Sequence, residues 1–189
     1  TLILSEIMIE AIIFDFGDVF IDLKKEAIDT EFRKLGLTAW HDDLDVLNKR
    51  YEIGKIDEFE FMQGFQKYLP NAELTEIRAA WNALLGDFPL YRLEFLQMIA
   101  TRYRLFLLSN TDHTHIEKFE HQEGQTFARD FYSCFEKVYF SYEIGLRKPD
   151  ENVFKYVINN HNLNPKTTLF VDDNKQNTDV AKELGLQVW

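Results

Sequence analysis

Residues 11–20, with the sequence AIIFDFGDVF, decide the fold of this chain. Four apolar residues run without a polar break up to Asp15, and Gly17 follows two residues later. A short apolar run that ends at a glycine turn is typical of a buried parallel strand. In an open α/β sheet, ligands bind just beyond the carboxyl ends of such strands. We therefore predict that Asp15 lies at the functional edge of a sheet.

Length and charge limit the classes of partner. The 189 residues allow one well-filled core with an insertion. The formal net charge of -11 repels nucleic acid and anionic membrane surfaces, so we expect neither as a partner. A single cysteine, Cys134, agrees with a reducing compartment, and no uncharged run approaches the roughly 18 residues of a membrane span. We expect a cytoplasmic protein, and the sequence indicates no particular oligomeric state.

A helical segment follows the first strand. Residues 24–88 contain four stretches with apolar residues at helical spacing. Asp57 is the predicted N-cap of the third helix, whose predicted buried side consists of Phe59, Phe61, Met62 and Phe65. We interpret the aromatic residues as the core of a small bundle that covers the strand end. The predicted domains are a core of residues 1–23 and 89–189 and a helical cap of residues 24–88.

Strands and helices alternate again after Pro89. We predict a polar helical stretch over residues 111–135 and the last helix over residues 178–184. The alternation is typical of a parallel sheet with right-handed crossovers. The predicted fold class is α/β, a Rossmann-like three-layer α/β/α parallel sheet with an inserted small α-helical cap. The apolar runs predict further strands at residues 104–108, 138–140, 167–171 and 186–189.

Four polar groups follow these strands, in the strand ends or the adjacent loops. They are Asp15, the pair Ser109-Asn110, Lys148, and the pair Asp172-Asp173. Taken singly, each of these groups is as typical of a turn or a helix cap as of a functional site. Together they bring a carboxylate, a hydroxyl, an ammonium and an acidic pair to one edge. This set complements a phosphoryl group with a divalent metal, because donors and cations hold the charge of a phosphoryl in transit. Hard carboxylate ligands favour Mg²⁺.

The segments IIFDFGDV, LFLLSNT, GLRKPD and LFVDDN, in this order, resemble the four motifs of the haloacid dehalogenase superfamily. The resemblance spans the whole chain, and the helical insertion is similar to the family's common cap position. The segments SNTDHTH, LRKPD and DDNKQN most resemble the sugar-phosphatase branch, which includes phosphatase domains fused to epoxide hydrolases. The resemblance implies a Mg²⁺-dependent phosphatase that acts on a small phosphorylated metabolite, such as a sugar phosphate, through an aspartyl-phosphate intermediate.

The resemblance also implies a role for each matching residue. Asp15 would be the nucleophile and a Mg²⁺ ligand, and the Gly17 carbonyl and Asp173 would be further ligands. Asp172 and Asn177 would orient water molecules or Lys148 from the second layer of the site. The phosphoryl group would be bound by Phe16, Gly17, Ser109, the Asn110 backbone and Lys148.

The sequence departs from the family's pattern at Gly17. Phosphatases of the family usually carry a second aspartate there as general acid and base, but this chain has its aspartate one residue later, at Asp18. Loss of a general acid typically costs about 10² to 10⁴ in rate, although members of the similar branch also carry glycine. Three explanations stay open: Asp18 supplies the proton, the leaving group needs little help, or the chain turns over slowly or only binds.

A group of histidines follows the second motif. His113, His115 and His121 lie on a polar segment, where histidines are more typical of a solvated surface. His115 is the exception, because its spacing from Ser109 resembles a histidine common in the branch and could place it facing the leaving group.

Two other functions stay open on the sequence alone. A 2-haloacid dehalogenase uses the same aspartate nucleophile without a metal, but Asp172 and Asp173 would repel its carboxylate substrate. A catalytically weak protein that binds a phosphorylated ligand would explain Gly17.

Overall fold

The computed structural model describes residues 7–189, so the first six residues of the predicted core lie outside the described part. No helix in this range is long and apolar enough to cross a membrane. The strands are β1 (Ala11–Phe14), β2 (Arg104–Ser109), β3 (Lys137–Phe140), β4 (Thr168–Val171) and β5 (Gln187–Val188). The helices are α1 (Lys25–Lys34), α2 (Asp42–Glu52), α3 (Glu58–Gln66), α4 (Leu74–Asn82), α5 (Leu90–Ile99), α6 (His113–Glu123), α7 (Gln125–Tyr132), α8 (Ser141–Ile144), α9 (Glu151–Asn160) and α10 (Lys175–Glu183).

β1 lies at the centre of a parallel five-stranded sheet. The strand order is β3-β2-β1-β4-β5, and every pairing is parallel. Ala11 of β1 lies opposite Arg104 of β2 and Thr168 of β4. The carboxyl ends of these three strands therefore reach the same edge of the sheet. The predicted α/β fold class is confirmed.

Alternate side chains of β1 face two different layers of helices, as the period of a strand requires. Ile12 packs into an apolar cluster that includes Phe131 of α7, whereas Ile13 packs into a second cluster that includes Phe154 of α9. Both faces of the sheet are covered, which explains why the strands are continuous apolar runs.

Helices α1–α4 form an apolar cluster of their own, which we call the helical bundle. Its buried members lie between residues 32 and 81, and the Phe65 ring stacks on Phe32 with centroids 4.8 Å apart. Two antiparallel linkers join the bundle to the sheet. Leu23 bridges to Leu85, and the Gly86 N–H donates to the Asp22 carbonyl at 2.8 Å. The predicted domain boundaries stay a prediction, which this packing supports.

The predicted burial of Phe59 is wrong, and two predicted helical segments differ from the structure in detail. Phe59 is 56% exposed, because it lies on the outer face of α3, although the Asp57 side chain caps that helix as predicted by accepting from the Glu60 N–H. Residues 111–135 contain two helices, since the chain turns at Gly124 with φ 91°. α10 begins before residue 178, because the Asn174 side chain accepts from the Gln176 N–H and starts the helix there.

Candidate active site

The centre of the site is a buried ammonium between two carboxylates. The Lys148 side chain is 1% exposed, and its Nζ lies 2.8 Å from Asp15 Oδ1 and 2.9 Å from Asp172 Oδ2. Asp15 follows β1 and Asp172 follows β4, so the parallel register brings these carboxyl groups to one place. The Asn110 side chain holds the backbone of Lys148, donating to its carbonyl at 2.8 Å and accepting from its N–H at 2.9 Å. Lys148 is therefore fixed at both its backbone and its side chain.

The charges of this cluster depend on one another. Burial lowers the pKa of Lys148, but the two carboxylates outweigh it and raise the pKa above its usual range. Burial raises the pKa of Asp172, but Lys148, the Asn174 N–H and Asn177 outweigh this effect and hold the pKa below its usual range. For Asp15, burial and the neighbouring Asp172 carboxylate together outweigh Lys148, so the pKa of Asp15 is raised. A further cation near Asp15 would favour its ionised form.

Three carboxyl groups lie close enough to hold a metal ion. Ligand oxygens of Asp15, Asp172 and Asp173 lie within 4.8 Å of one another. Asp172 is already engaged, since its oxygens accept from Lys148, from the Asn174 N–H at 2.8 Å and from the Asn177 amide at 2.8 Å. Burial and the nearby carboxylates raise the pKa of Asp173. Asp15 and Asp173 thus form a hard, crowded pair of oxygen donors that fits Mg²⁺.

These groups line a cavity of about 460 Å³ at the carboxyl edge of the sheet. A larger groove of about 820 Å³ runs between α4 and α6, but its lining contains none of the predicted site residues. The sequence analysis missed several residues that line the smaller cavity. Of these, Lys25 could have been found, because it begins the first helix after the β1 motif. The predicted site residues that line this cavity are Asp15, Gly17, Ser109, Asn110, Lys148, Asp172, Asp173 and Asn177, and the missed ones are Leu23, Lys25, Asn174, Lys175 and Gln176.

Asp18 lies beside this cavity but is not in its lining. The residue has a positive φ of 56°. Its Oδ1 accepts from the Leu23 N–H at 2.8 Å, and its Oδ2 lies 3.8 Å from Lys25 Nζ. At Gly17, a Cβ atom would lie 2.6 Å from Leu23 Cδ1. A side chain at position 17 would therefore require Leu23 to move.

Phe16 and His115 are the other predicted site residues outside the cavity lining. The Phe16 side chain is buried, with its ring centroid 5.0 Å from that of Phe119, whereas its backbone N–H partly opposes the rise in the pKa of Asp15. His115 is buried and stacks on Trp81. His113 and His121 are exposed. The prediction that His115 faces the leaving group stays untested, but its ring nitrogens contact Asp112 and Trp81.

The fold and site define a hydrolase of the haloacid dehalogenase type. The family model of haloacid dehalogenase-like hydrolases matches residues 9–185, and the chain belongs to this family. Among individual proteins, the chain is 31% identical to a D-ribitol-5-phosphate phosphatase from Bacteroides thetaiotaomicron, over 96% of this chain and 91% of the relative.

Solved structures of the family are similar throughout. A haloacid dehalogenase family enzyme from Bacteroides thetaiotaomicron, in complex with magnesium and inorganic phosphate, is 32% identical with a TM-score of 0.85, covering 96% of this chain and 93% of that chain. A predicted family hydrolase from Porphyromonas gingivalis is 28% identical with a TM-score of 0.82, covering 96% of this chain and 90% of the other. The similarity therefore includes both the sheet and the helical bundle.

Proposed function

We propose that this chain is a Mg²⁺-dependent phosphatase that hydrolyses the phosphate monoester of a small polyhydroxylated metabolite. The observation that carries the proposal is Lys148, a fully buried ammonium that joins Asp15 to Asp172. The related D-ribitol-5-phosphate phosphatase supports a phosphorylated sugar or sugar alcohol as the substrate class. The cavity of about 460 Å³ is of a size for such a molecule.

Asp15 is the proposed nucleophile. A carboxylate oxygen of Asp15 attacks phosphorus, the bond from phosphorus to the ester oxygen breaks, and the phosphoryl group passes to Asp15. Water then hydrolyses this aspartyl phosphate and releases inorganic phosphate. Lys148 neutralises charge on both Asp15 and the phosphoryl oxygens. Ser109 and the backbone N–H groups of Phe16 and Asn110 donate to those oxygens.

The residues present fit a Mg²⁺ ion, which Asp15, Asp173 and the Gly17 carbonyl would hold. When bound, the ion offsets the repulsion between the attacking carboxylate and the phosphate. Asp172 acts beside this set by holding Lys148 at 2.9 Å, while Asn177 donates to Asp172 at 2.8 Å. These contacts support the predicted orienting role of both residues.

The departing oxygen needs a proton that Gly17 lacks. Asp18 is the nearest acidic residue in sequence, but its carboxylate is bound to the Leu23 N–H. We propose water in the cavity as the source, with the lower rate that is expected when a strongly basic alkoxide departs without a positioned general acid.

A metal-independent 2-haloacid dehalogenase is disfavoured by the charges of the site. The carboxyl groups of Asp15, Asp172 and Asp173 lie together, and Lys148 is already shared by two of them. A carboxylate substrate would enter against net negative charge, whereas a phosphate ester would arrive with Mg²⁺ between the charges.

The test is phosphate release from D-ribitol 5-phosphate and a panel of sugar phosphates, with Mg²⁺ and with EDTA. We expect release that EDTA abolishes, and no measurable turnover by Asp15→Asn. Asp29→Asn, an exposed change of the same chemistry on α1, is the matched control and should keep wild-type activity. Appreciable turnover by Asp15→Asn would contradict the covalent mechanism, and release that is unaffected by EDTA would contradict the metal requirement.

A further inference from the structure

A closed triangle of buried contacts joins the helical bundle to the layer of helices on the sheet. Asp112 precedes α6 and accepts from the His115 N–H at 2.9 Å. His115 Nδ1 lies 3.1 Å from Asp112 Oδ2, and its Nε2 lies 2.9 Å from the Trp81 carbonyl of α4. The Trp81 indole N–H donates to Asp112 at 3.1 Å and closes the triangle. We call Trp81, Asp112 and His115 the latch.

The two partners of His115 determine its protonation. A backbone carbonyl and an ionised carboxylate can only accept hydrogen bonds. Nε2 therefore donates to the Trp81 carbonyl, while Nδ1 lies at ion-pair distance from Asp112 Oδ2. A proton on Nδ1 as well makes the ring an imidazolium and gives the buried carboxylate a cationic partner. The ring also lies parallel to the Trp81 indole, with centroids 4.7 Å apart and an angle of 7° between the planes. An aromatic face attracts a cation at this distance.

The charged groups packed around His115 favour the same form. The facing group directly before its own helix is Asp112, and the facing group on α2 is Glu52, whose carboxylate pairs with Arg147 at 2.9 Å. Burial lowers the pKa of His115, but Asp112, the Trp81 carbonyl and Glu52 together raise it above its usual range. Without the imidazolium, the buried Asp112 carboxylate would keep only neutral donors, the His115 N–H and the Trp81 indole N–H.

We propose that His115 is a positioning residue: as an imidazolium held by Asp112 and Trp81, it locks α4 onto α6 and keeps the helical bundle seated over the Asp15 cavity. The bundle contributes Lys25 to the lining of that cavity. Asp112 lies two residues after Asn110, whose side chain fixes Lys148. Deprotonation of His115 removes one donor and leaves a ring nitrogen facing an oxygen, so the latch weakens as the pH rises.

A second contact between the same two layers serves as a control. The Tyr51 hydroxyl on α2 hydrogen bonds with Thr114 Oγ1 on α6 at 2.5 Å. Burial raises the pKa of Tyr51 from its already alkaline value, so this contact does not titrate between pH 6 and 9. Tyr51→Phe therefore weakens the seating of the bundle without changing the dependence on pH.

The first experiment observes the protonation of His115 directly, by two-bond ¹H–¹⁵N spectra of protein labelled with ¹⁵N-histidine. The His115→Gln variant assigns the signal. At pH 7.5 an ordinary imidazole is about nine-tenths neutral, whereas we expect protons on both nitrogens of His115. Asp112→Asn should move the titration to lower pH. A neutral His115 ring at pH 7.5 would overturn the proposal, and this measurement needs no substrate.

The second experiment measures KM and kcat between pH 6 and 9 for wild type, His115→Gln and Tyr51→Phe. When only part of the population has the bundle seated, the apparent affinity equals the intrinsic affinity multiplied by the seated fraction. We expect the KM of His115→Gln to be raised about tenfold at pH 7, with kcat nearly unchanged. The wild-type KM should rise towards that of His115→Gln as the pH passes the raised pKa of His115. The KM of Tyr51→Phe should depend on pH in the same way as that of wild type.

The latch would be refuted by a KM of His115→Gln equal to that of wild type at pH 7. Parallel KM profiles across a pH range in which the NMR spectra show His115 losing its proton would also refute it. A wild-type protein that releases no phosphate from any ester would instead refute the proposed function, and the NMR result would then decide the latch alone.

Discussion

Replacing Lys148 by Met should destabilise the fold and nearly abolish catalysis. Methionine keeps most of the volume of lysine but leaves Asp15 and Asp172 facing each other without a cation. At separations of 2.8 and 2.9 Å, each ion pair corresponds to about 6 kcal/mol of attraction at an effective dielectric constant of about 20. The cost of removing all three groups from water offsets most of this sum.

The net effect follows from breaking a buried ion pair. Removal of one partner typically costs about 3–5 kcal/mol, because the other charge stays buried without compensation. For a chain of this size that loss lowers the melting temperature by about 6–20 °C. The lost electrostatic stabilisation of the phosphoryl group should lower kcat by at least about 10²–10³.

Thermal unfolding with and without Mg²⁺, together with phosphate release, measures these effects. Mg²⁺ should recover part of the stability lost in Lys148→Met, because it restores a cation beside Asp15. Lys155→Met is the matched control, since Lys155 pairs with Glu151 at 3.0 Å on the exposed face of α9. It should change the stability by no more than about 0.5 kcal/mol. A melting temperature of Lys148→Met equal to that of wild type would refute the reasoning.

Asp18→Asn should lower kcat less than tenfold, because the Asp18 carboxylate is bound to the Leu23 N–H; a steady-state loss of about 10² or more would identify Asp18 as the general acid. The free energy of unfolding, measured with urea between pH 3 and 9, also tests the latch. The pKa of Asp112 is lowered, so its contribution is present above about pH 4 and is lost as the pH falls. The pKa of His115 is raised, so its contribution is present below about pH 6.5 and is lost as the pH rises through the raised value. In Asp112→Asn, the free energy of unfolding should depend less on pH on both the acidic and the alkaline side. A pH dependence equal to that of wild type would contradict the proposed ion pair of Asp112 with His115.

The sheet was predictable because its signals are local. The apolar runs of β1 and β4 end at Asp15 and Asp172, and a parallel sheet necessarily brings such ends to one edge. Their pairing in register, Phe14 with Val171, confirms that expectation. The N-cap at Asp57 was equally local, because one side chain and the N–H three residues later define it.

The contacts of the bundle were less predictable because they depend on packing between distant segments. Phe59 fits the apolar pattern of α3, yet it faces solvent, since residues 61, 62 and 65 already fill the inner face. His115 fits the pattern of a polar surface helix, yet Trp81, which is distant in sequence, covers it. Helical spacing identifies one face of a helix, but it does not identify what packs there.

The position of Asp112 connects the two buried ion clusters. Asn110 fixes the backbone of Lys148 through two hydrogen bonds, and Asp112 holds the latch. Between them, the Thr111 N–H donates to Ser141 Oγ at 2.9 Å, and that hydroxyl donates back to the Thr111 carbonyl at 3.0 Å. The segment from the phosphate site to the latch is thus bound at every residue. A displacement of α4 consequently reaches the loop of Lys148 through three tethered residues, which is why a histidine outside the cavity can govern how tightly the substrate is held.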